Sequence, residues 1–233
     1  MGFAIVAGGN PGMAAPVTGV AAGTLAVGST VKLMESGTAV EYLVVNQGKP
    51  SNSNLYDSSC DGTWLMRKAI KESRAFGSNS AYASSAINTW LNGTFFSTIG
   101  TGNAVKQVKI PYVADGSVKS GANGLSTKVF LLSLTELGWT IQQHSIYVDG
   151  AAVSYFNGTS DTDSKRIAYL NSTATAYFAR SASTDNSSYA GAVTATGGHT
   201  SLQVSASNGI RPALILSKTA IFDRDTMILK GVA

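Results

Sequence analysis

From Ala176 to Leu216 the chain reads AYFARSASTDNSSYAGAVTATGGHTSLQVSASNGIRPALIL. Within it AYFARSA, YAGAVTA, TSLQVSA and IRPALIL are short runs of β-branched, aromatic and small residues, separated by Ser, Thr, Asn and Gly. Turn residues interrupt before any helix could complete its apolar stripe, so four short strands joined by neutral loops are expected. Between Arg180 and Arg211 stands one charged side chain, Asp185. Arg180 follows Tyr177-Phe178-Ala179, and Arg211 precedes Pro212-Ala213-Leu214. A guanidinium among apolar neighbours must bond carbonyls or a carboxylate, because a buried charge without partners is prohibitive. Arg180 and Arg211 are therefore read as structural pins at the ends of a tolerant loop region, the arrangement of a display scaffold.

The rest of the chain agrees with a β-rich body that carries short helices. TVKLME and VEYLVVNQ flank the turn-prone SGTA and predict a hairpin. TWLMRK reads as another strand, with Trp64 and Met66 on one face. In SAYASSAINTWLNGTFF, Tyr82, Ala86, Ile87, Trp90 and Leu91 recur at helical spacing, with Ser80 as start signal and Asn92-Gly93 as stop. Trp64 and Trp90 are thus structural. TGNAVKQVKIPY predicts a turn or two of helix before Pro111 forces extension. In KVFLLSLTELGW a strand passes into a short helix, and Ser133 and Glu136 have the spacing of a capping box, so Glu136 is read as a cap. One domain is expected over 28–217, with an arm over 1–27 and a tail over 218–233.

Charged residues make up 13% of 233, with a net charge of +4 and no block of like charges. Average soluble domains hold roughly 25%. The surface is therefore expected to be neutral amide and hydroxyl, or covered by another subunit, and no basic stripe points to nucleic acid. The first side-chain charge is Lys32. Gly8, Gly9, Pro11, Gly12 and Pro16 break any membrane-spanning helix, and the basic start of a secretory signal is absent. The segment is read as an arm that lies on a neighbouring subunit or folds back on its own domain, in a chain made in a cytoplasm.

Chemistry-bearing motifs are scarce. GTGNAV lacks the third glycine and the lysine of phosphate loops, and no Gly-x-Ser-x-Gly occurs. Asp161 and Asp163 lack the glycine and glutamate of a calcium loop. Cys60 is the sole cysteine and reads as a small buried thiol, distant in sequence from His144 and His199. Asn92, Asn157 and Asn171 stand in glycosylation patterns that read as turns. No catalytic residue, metal or cofactor is expected. Loops of Ser, Gly, Asn and Tyr instead combine adaptable hydrogen bonding with rigid rings. Asp185, Asn186, Ser188, Tyr189, His199 and Thr200 are the candidate ligand-binding residues, and a sugar is the ligand that such groups suit. Ordinary solvated turns are the alternative reading.

TWLMRKAI, SAINTWLNGTFF, VKIPY, ANGLSTKVFLLSLTELGW, DSKRIAYLN, YFARSAS and NGIRPALIL, in that order, resemble a domain of unassigned function widespread in phages and prophages of Gram-positive bacteria. The likeness runs from about Val27 to Leu216. Members carry a tryptophan-rich WWLRS where this chain has Tyr177-Phe178-Ala179-Arg180-Ser181, and a GVRPAL ending matched by Gly209 to Leu214. That family is similar in turn to the C-type-lectin-like fold of formylglycine-generating enzymes. The resemblance implies an α+β fold with two or three short helices, and a virion protein on a phage tail or capsid that attaches to host-surface glycan. It further implies partners among other virion proteins, reached through the arm, and a homo-oligomer. The sulfatase-modifying activity does not carry over, since it needs a cysteine pair. A capsid decoration or tail assembly protein without ligand is the alternative, and a cell-wall hydrolase the remote one.

Overall fold

Two consecutive left-handed residues, Ser36 and Gly37 at φ 47° and 82°, turn the chain between Thr30–Glu35 (β1) and Thr38–Gln47 (β2). That turn matches the natural twist of a hairpin, and the two strands pair antiparallel from Thr30↔Leu43 to Glu35↔Thr38 as expected. The computed structural model describes residues 19–51, 53–139, 145–158 and 164–232. Residues 1–18 of the arm, His144, Asp161 and Asp163 lie outside the described residues. The two main sheets continue with Thr63–Arg67 (β3), Glu72–Ala75 (β4), Val129–Phe130 (β5) and Tyr177–Ala182 (β6). Tyr189–Val193 (β7), His199–Gln203 (β8), Ser207–Ile210 (β9) and Ala213–Leu216 (β10) complete them.

One sheet has the order β5-β10-β3-β2-β1 and the other β8-β7-β6-β9-β4. All their pairings are antiparallel except β6 with β9. Two of the chain's passages between the sheets are short and direct, at Lys68–Lys71 and at Arg211-Pro212. IRPALIL is consequently two strands rather than one: Pro212 has no N–H to give a ladder, and the chain changes sheet there. The two crossings are stapled together. Arg67 N–H donates to the Pro212 carbonyl and Lys71 N–H to the Ile210 carbonyl, each at 2.8 Å. Arg211 Nε donates to the Arg67 carbonyl at 2.8 Å, and its Nη1 to the Tyr177 hydroxyl at 3.2 Å. Arg67 in turn bonds the buried Glu35 at 2.9 Å, beside the Tyr42 hydroxyl at 2.7 Å. Lys71 Nζ stands 3.3 Å from Glu35 Oε2, within ion-pair range but off the angle of a hydrogen bond.

The chain is β-rich, and the helical share is smaller than the α+β expectation. Among the described residues α-helix is confined to Ala86–Trp90 (α1), which Ser85 caps by accepting from Asn88 N at 3.0 Å; Ser80, the expected cap, lies upstream. Ala86, placed on the apolar stripe, is exposed, whereas Ile87 and Leu91 are buried. Asn92-Gly93 does not stop the helix, which widens into a π turn over Leu91–Phe95. The Asn92 side chain is a clip: its oxygen accepts from Thr127 Oγ1, Lys128 N and Val129 N, and its nitrogen donates to the Val129 and Asn88 carbonyls. Asn92→Ala would strip partners from two backbone N–H groups, and a loss of about 2 kcal/mol in urea unfolding is expected. Leu134–Gly138 forms a turn rather than a helix, yet its capping box is closed, Ser133 N to Glu136 Oε2 and Glu136 N to Ser133 Oγ, both 3.0 Å.

One continuous core joins the sheets. Trp64 lies fully inside, edge-on to Tyr56 and Phe130 at 5.6 Å each. Trp90 is half-buried under the Arg74 guanidinium. The packed body extends past both boundaries drawn at 28 and 217: Val20–Ala21 pairs with Ala220–Phe222, which pairs with Leu229–Val232. Ala22, Phe222 and Leu229 belong to the same core, because they cover apolar surface that the two main sheets leave open.

Candidate functional site

β6 is buried along all six residues although it contains Arg180 and Ser181. Arg180 resolves this by using its whole fork. Its Nη1 and Nη2 donate to Glu136 Oε2 and Oε1 at 2.5 and 2.6 Å. The same guanidinium donates to the carbonyls of Pro111 at 2.9 Å, Leu131 at 2.9 Å and Asp149 at 3.1 Å. Asp149 is a second carboxylate in the cluster, with Oδ1 accepting from Ser181 Oγ at 2.7 Å and Oδ2 3.8 Å from Arg180 Nε. Arg180, Glu136 and Asp149 side chains are all 0% exposed. Oδ2 of Asp149 has no hydrogen-bond partner. Burial is the main reason that its carboxyl is pushed up to about 6, with Arg180 and the Ser181 hydroxyl opposing. Two anions against one cation, sealed from solvent, make a structural cluster; Glu136 is both the cap and the counter-ion.

This pin sets a surface. Pro111 precedes the hairpin of Tyr112–Ala114 with Ser117–Lys119, and Asp149 ends the segment 145–149. Arg180 therefore ties both segments beneath the loop 183–188 that leaves β6. The segment 145–147 runs beside that loop: Ile146 bridges Ser183, Tyr147 N donates to Ala182 O at 3.1 Å, and Thr184 N to Ser145 O at 2.5 Å. Three shallow depressions follow the contact. One of about 310 Å³ is lined by Ser145, Ser183, Asp185, Asn186, Tyr189 and Ser201. Another, about 300 Å³, shares Ser183 and adds Asn79, Asp115 and Tyr147. The third, about 490 Å³, shares Tyr147 and adds Val118, Val148 and Thr184. Hydroxyls, amides and a tyrosine ring dominate the first, the second mixes such groups with Val113 and alanines, and Val118, Ile146 and Val148 make the third largely aliphatic.

Much of the loop's polarity holds the loop itself. Asp185 accepts from the Ser145 hydroxyl and, at 2.6 Å, from Thr184 Oγ1, and in that order these bonds hold its carboxyl below the usual carboxylate range. Ser183 Oγ accepts from Asn186 N at 3.2 Å, and Asn186 Oδ1 from Ser188 N at 2.9 Å. These are the side-chain turns that Ser, Asp and Asn favour.

The six candidate residues divide. Asp185, Asn186 and Tyr189 share one depression; Ser188, His199 and Thr200 do not line it. β7 and β8 are an antiparallel pair, so loops 183–188 and 194–198 lie at opposite ends of it. Tyr189 faces Gln203, whereas Val193 faces His199. Four residues at about 3.3 Å each separate the two ends by roughly 13 Å. His199 packs on Trp139 at 5.4 Å, and alternation turns Thr200 to the face opposite Ser201. Asn79, Asp115, Ser145, Tyr147 and Ser183 went unread in the sequence because they come from coil segments with no periodic signal. Cys60 is buried, donates to the Lys109 carbonyl at 3.1 Å, and has its thiol pushed up to about 12, chiefly by burial. Among the described residues no three His, Cys, Asp or Glu side chains gather as a metal site, and no helix is long and apolar enough to cross a membrane.

A family model described as a domain of unknown function, DUF6273, matches residues 61–218. That span holds the second sheet, the buried cluster and all the depressions, and leaves out the β1–β2 hairpin. No curated protein and no solved structure matches the chain.

Proposed function

We propose a role for this chain, which belongs to the DUF6273 family of domains of unknown function: it is a non-enzymatic display protein of a phage particle whose loop surface attaches to host-surface glycan. The observation that carries this reading is the chain of three shallow depressions around Ser183 and Tyr147, with Asp115 and Asp185 as their only charged lining residues, pinned by Arg180. Tyrosine rings offer sugar faces a stacking partner, and hydroxyls and amides match sugar hydroxyls. The acids that converge, Glu136 and Asp149, are sealed and engaged, which favours contact over hydrolysis as the use of this region. A C-type-lectin-like arrangement belongs to the same reading, as does docking on the particle through the uncharged residues before Gly19.

An array of host-type glycans probed with the full chain tests it. Binding is expected, with loss of about tenfold or more on Tyr189→Ala, which leaves the core intact. Retained binding in that variant would move the site elsewhere. A decoration role without ligand is the second reading, favoured by the number of loop groups already spent on one another. It predicts a blank array, together with failure of particle incorporation when residues 2–18 are deleted.

A further inference from the structure

Each five-stranded sheet ends in two edge strands, and three of the four are blunted. β1 carries Lys32 and Glu35 and is bridged by Ile228 and Ile99. β5 is two residues long. β4 carries Glu72 and Arg74. Cover, shortness and charge are the devices by which natural sheets resist pairing with other chains. β8 is neither that short nor charged. His199-Thr200-Ser201-Leu202-Gln203 contains no charged residue, proline or glycine and pairs with β7 without a bulge. Among the described residues no strand lies on its other side.

The register shows what that edge offers. Thr194 N donates to Gly198 O at 2.7 Å and Val204 N to Ser188 O at 2.9 Å, at the two ends of the β7–β8 ladder. Strict alternation between those ends directs the N–H and C=O groups of Thr200 and Leu202 towards β7. The N–H and C=O of Ser201, and the N–H of Gln203, therefore point outward. Thr200 Oγ1 approaches the Ser201 carbonyl at a long 3.4 Å, and the Gln203 carbonyl accepts from Ala206 N at 3.1 Å.

We propose that β8 is a dimerisation edge, along which a second copy of this chain pairs antiparallel about a two-fold axis at Ser201. That axis sets Ser201 opposite its own symmetry mate and Thr200 opposite Leu202, so like charges never face one another. Neutral self-complementarity favours a second copy over a charged partner, and the two-fold closes the assembly as a dimer instead of a fibre. Ser201 also lines the 310 Å³ depression, so the dimer brings two copies of that surface side by side. The inference stands on the strand edge and is independent of any ligand.

Sedimentation equilibrium of the full chain tests it, with a dimer expected. Ser201→Pro removes an outward N–H and leaves the β7–β8 ladder whole, and Gln203→Lys sets a charge on the edge. Both variants are expected to sediment as monomers with wild-type circular dichroism. Ser201→Cys is expected to give a dimer cross-linked by a short bis-maleimide, since opposing Cβ atoms in such a pair lie about 5 Å apart, wider than an unstrained disulfide but within the reach of the linker. Cys60, being buried, supplies no competing thiol. A monomeric wild-type chain would overturn the proposal. So would a dimer indifferent to Gln203→Lys and not cross-linked through Ser201→Cys, which would assign the interface to residues 1–18 or to another face. Should Ser201→Pro fail to fold, the other two variants decide.

Discussion

Arg180→Met is expected to cost about 3–5 kcal/mol of folding stability, the largest effect of any single side chain in the second sheet. Methionine fills a similar volume, so the loss is electrostatic and not a cavity effect. Without the guanidinium, Glu136 and Asp149 remain as two sealed carboxylates, and the carbonyls of Pro111, Leu131 and Asp149 lose their donor. Arg180→Lys rescues little, because an ammonium has three donors and no planar fork to meet Glu136 with two parallel bonds. Urea unfolding followed by tryptophan fluorescence measures the difference. If the methionine variant does not fold, Glu136→Gln supplies a milder form of the same test, since the amide keeps one acceptor for Arg180. A loss under about 1 kcal/mol in either would mean that water reaches the cluster.

A second large effect is a pH dependence opposite in sign to ordinary acid unfolding. Asp149 has a folded-state value of about 6, above the ordinary 3.8, with burial as the first cause. The folded chain thus binds this proton more tightly than the unfolded chain. Its contribution to stability is full below the unfolded value, falls as pH rises from about 4 to about 6, and is flat above. About two units correspond to about 3 kcal/mol. Asp149→Asn keeps an acceptor for the Ser181 hydroxyl and removes the titration. The stability difference between wild type and variant should therefore move by about 3 kcal/mol across pH 4–6. Parallel curves would place the titration on another group. Asp57, Asp185 and Asp223 have lowered values and work the other way, losing stability only as pH falls below the ordinary carboxylate range.

Local chemistry made part of this molecule legible before any coordinates. The β1–β2 hairpin could be read because Ser36-Gly37 accepts left-handed backbone between two alternating runs. The Ser133–Glu136 reciprocal bonds could be read because their spacing is a local rule. The enclosed character of Arg180 and Arg211 could be read because each sits among residues that exclude water. Asn92 misled for the same reason that these succeeded. Asn-Gly is a stop signal locally, yet its amide is spent on Lys128 and Val129, far along the chain.

Strand-length runs, turn positions and the need of two arginines for buried partners were settled by short-range sterics and the cost of an unpaired charge, which neighbouring residues are enough to impose. Which carboxylates met Arg180, which segments it drew beneath loop 183–188, and which of the six candidate residues came to share a surface depended on contacts across dozens of residues. The antiparallel run of β7 and β8 parted Tyr189 from His199, and the same pairing left one uncharged edge without a neighbouring strand among the described residues. Sequence proximity carries no record of such meetings, because they arise when separate coil segments are packed on a shared core.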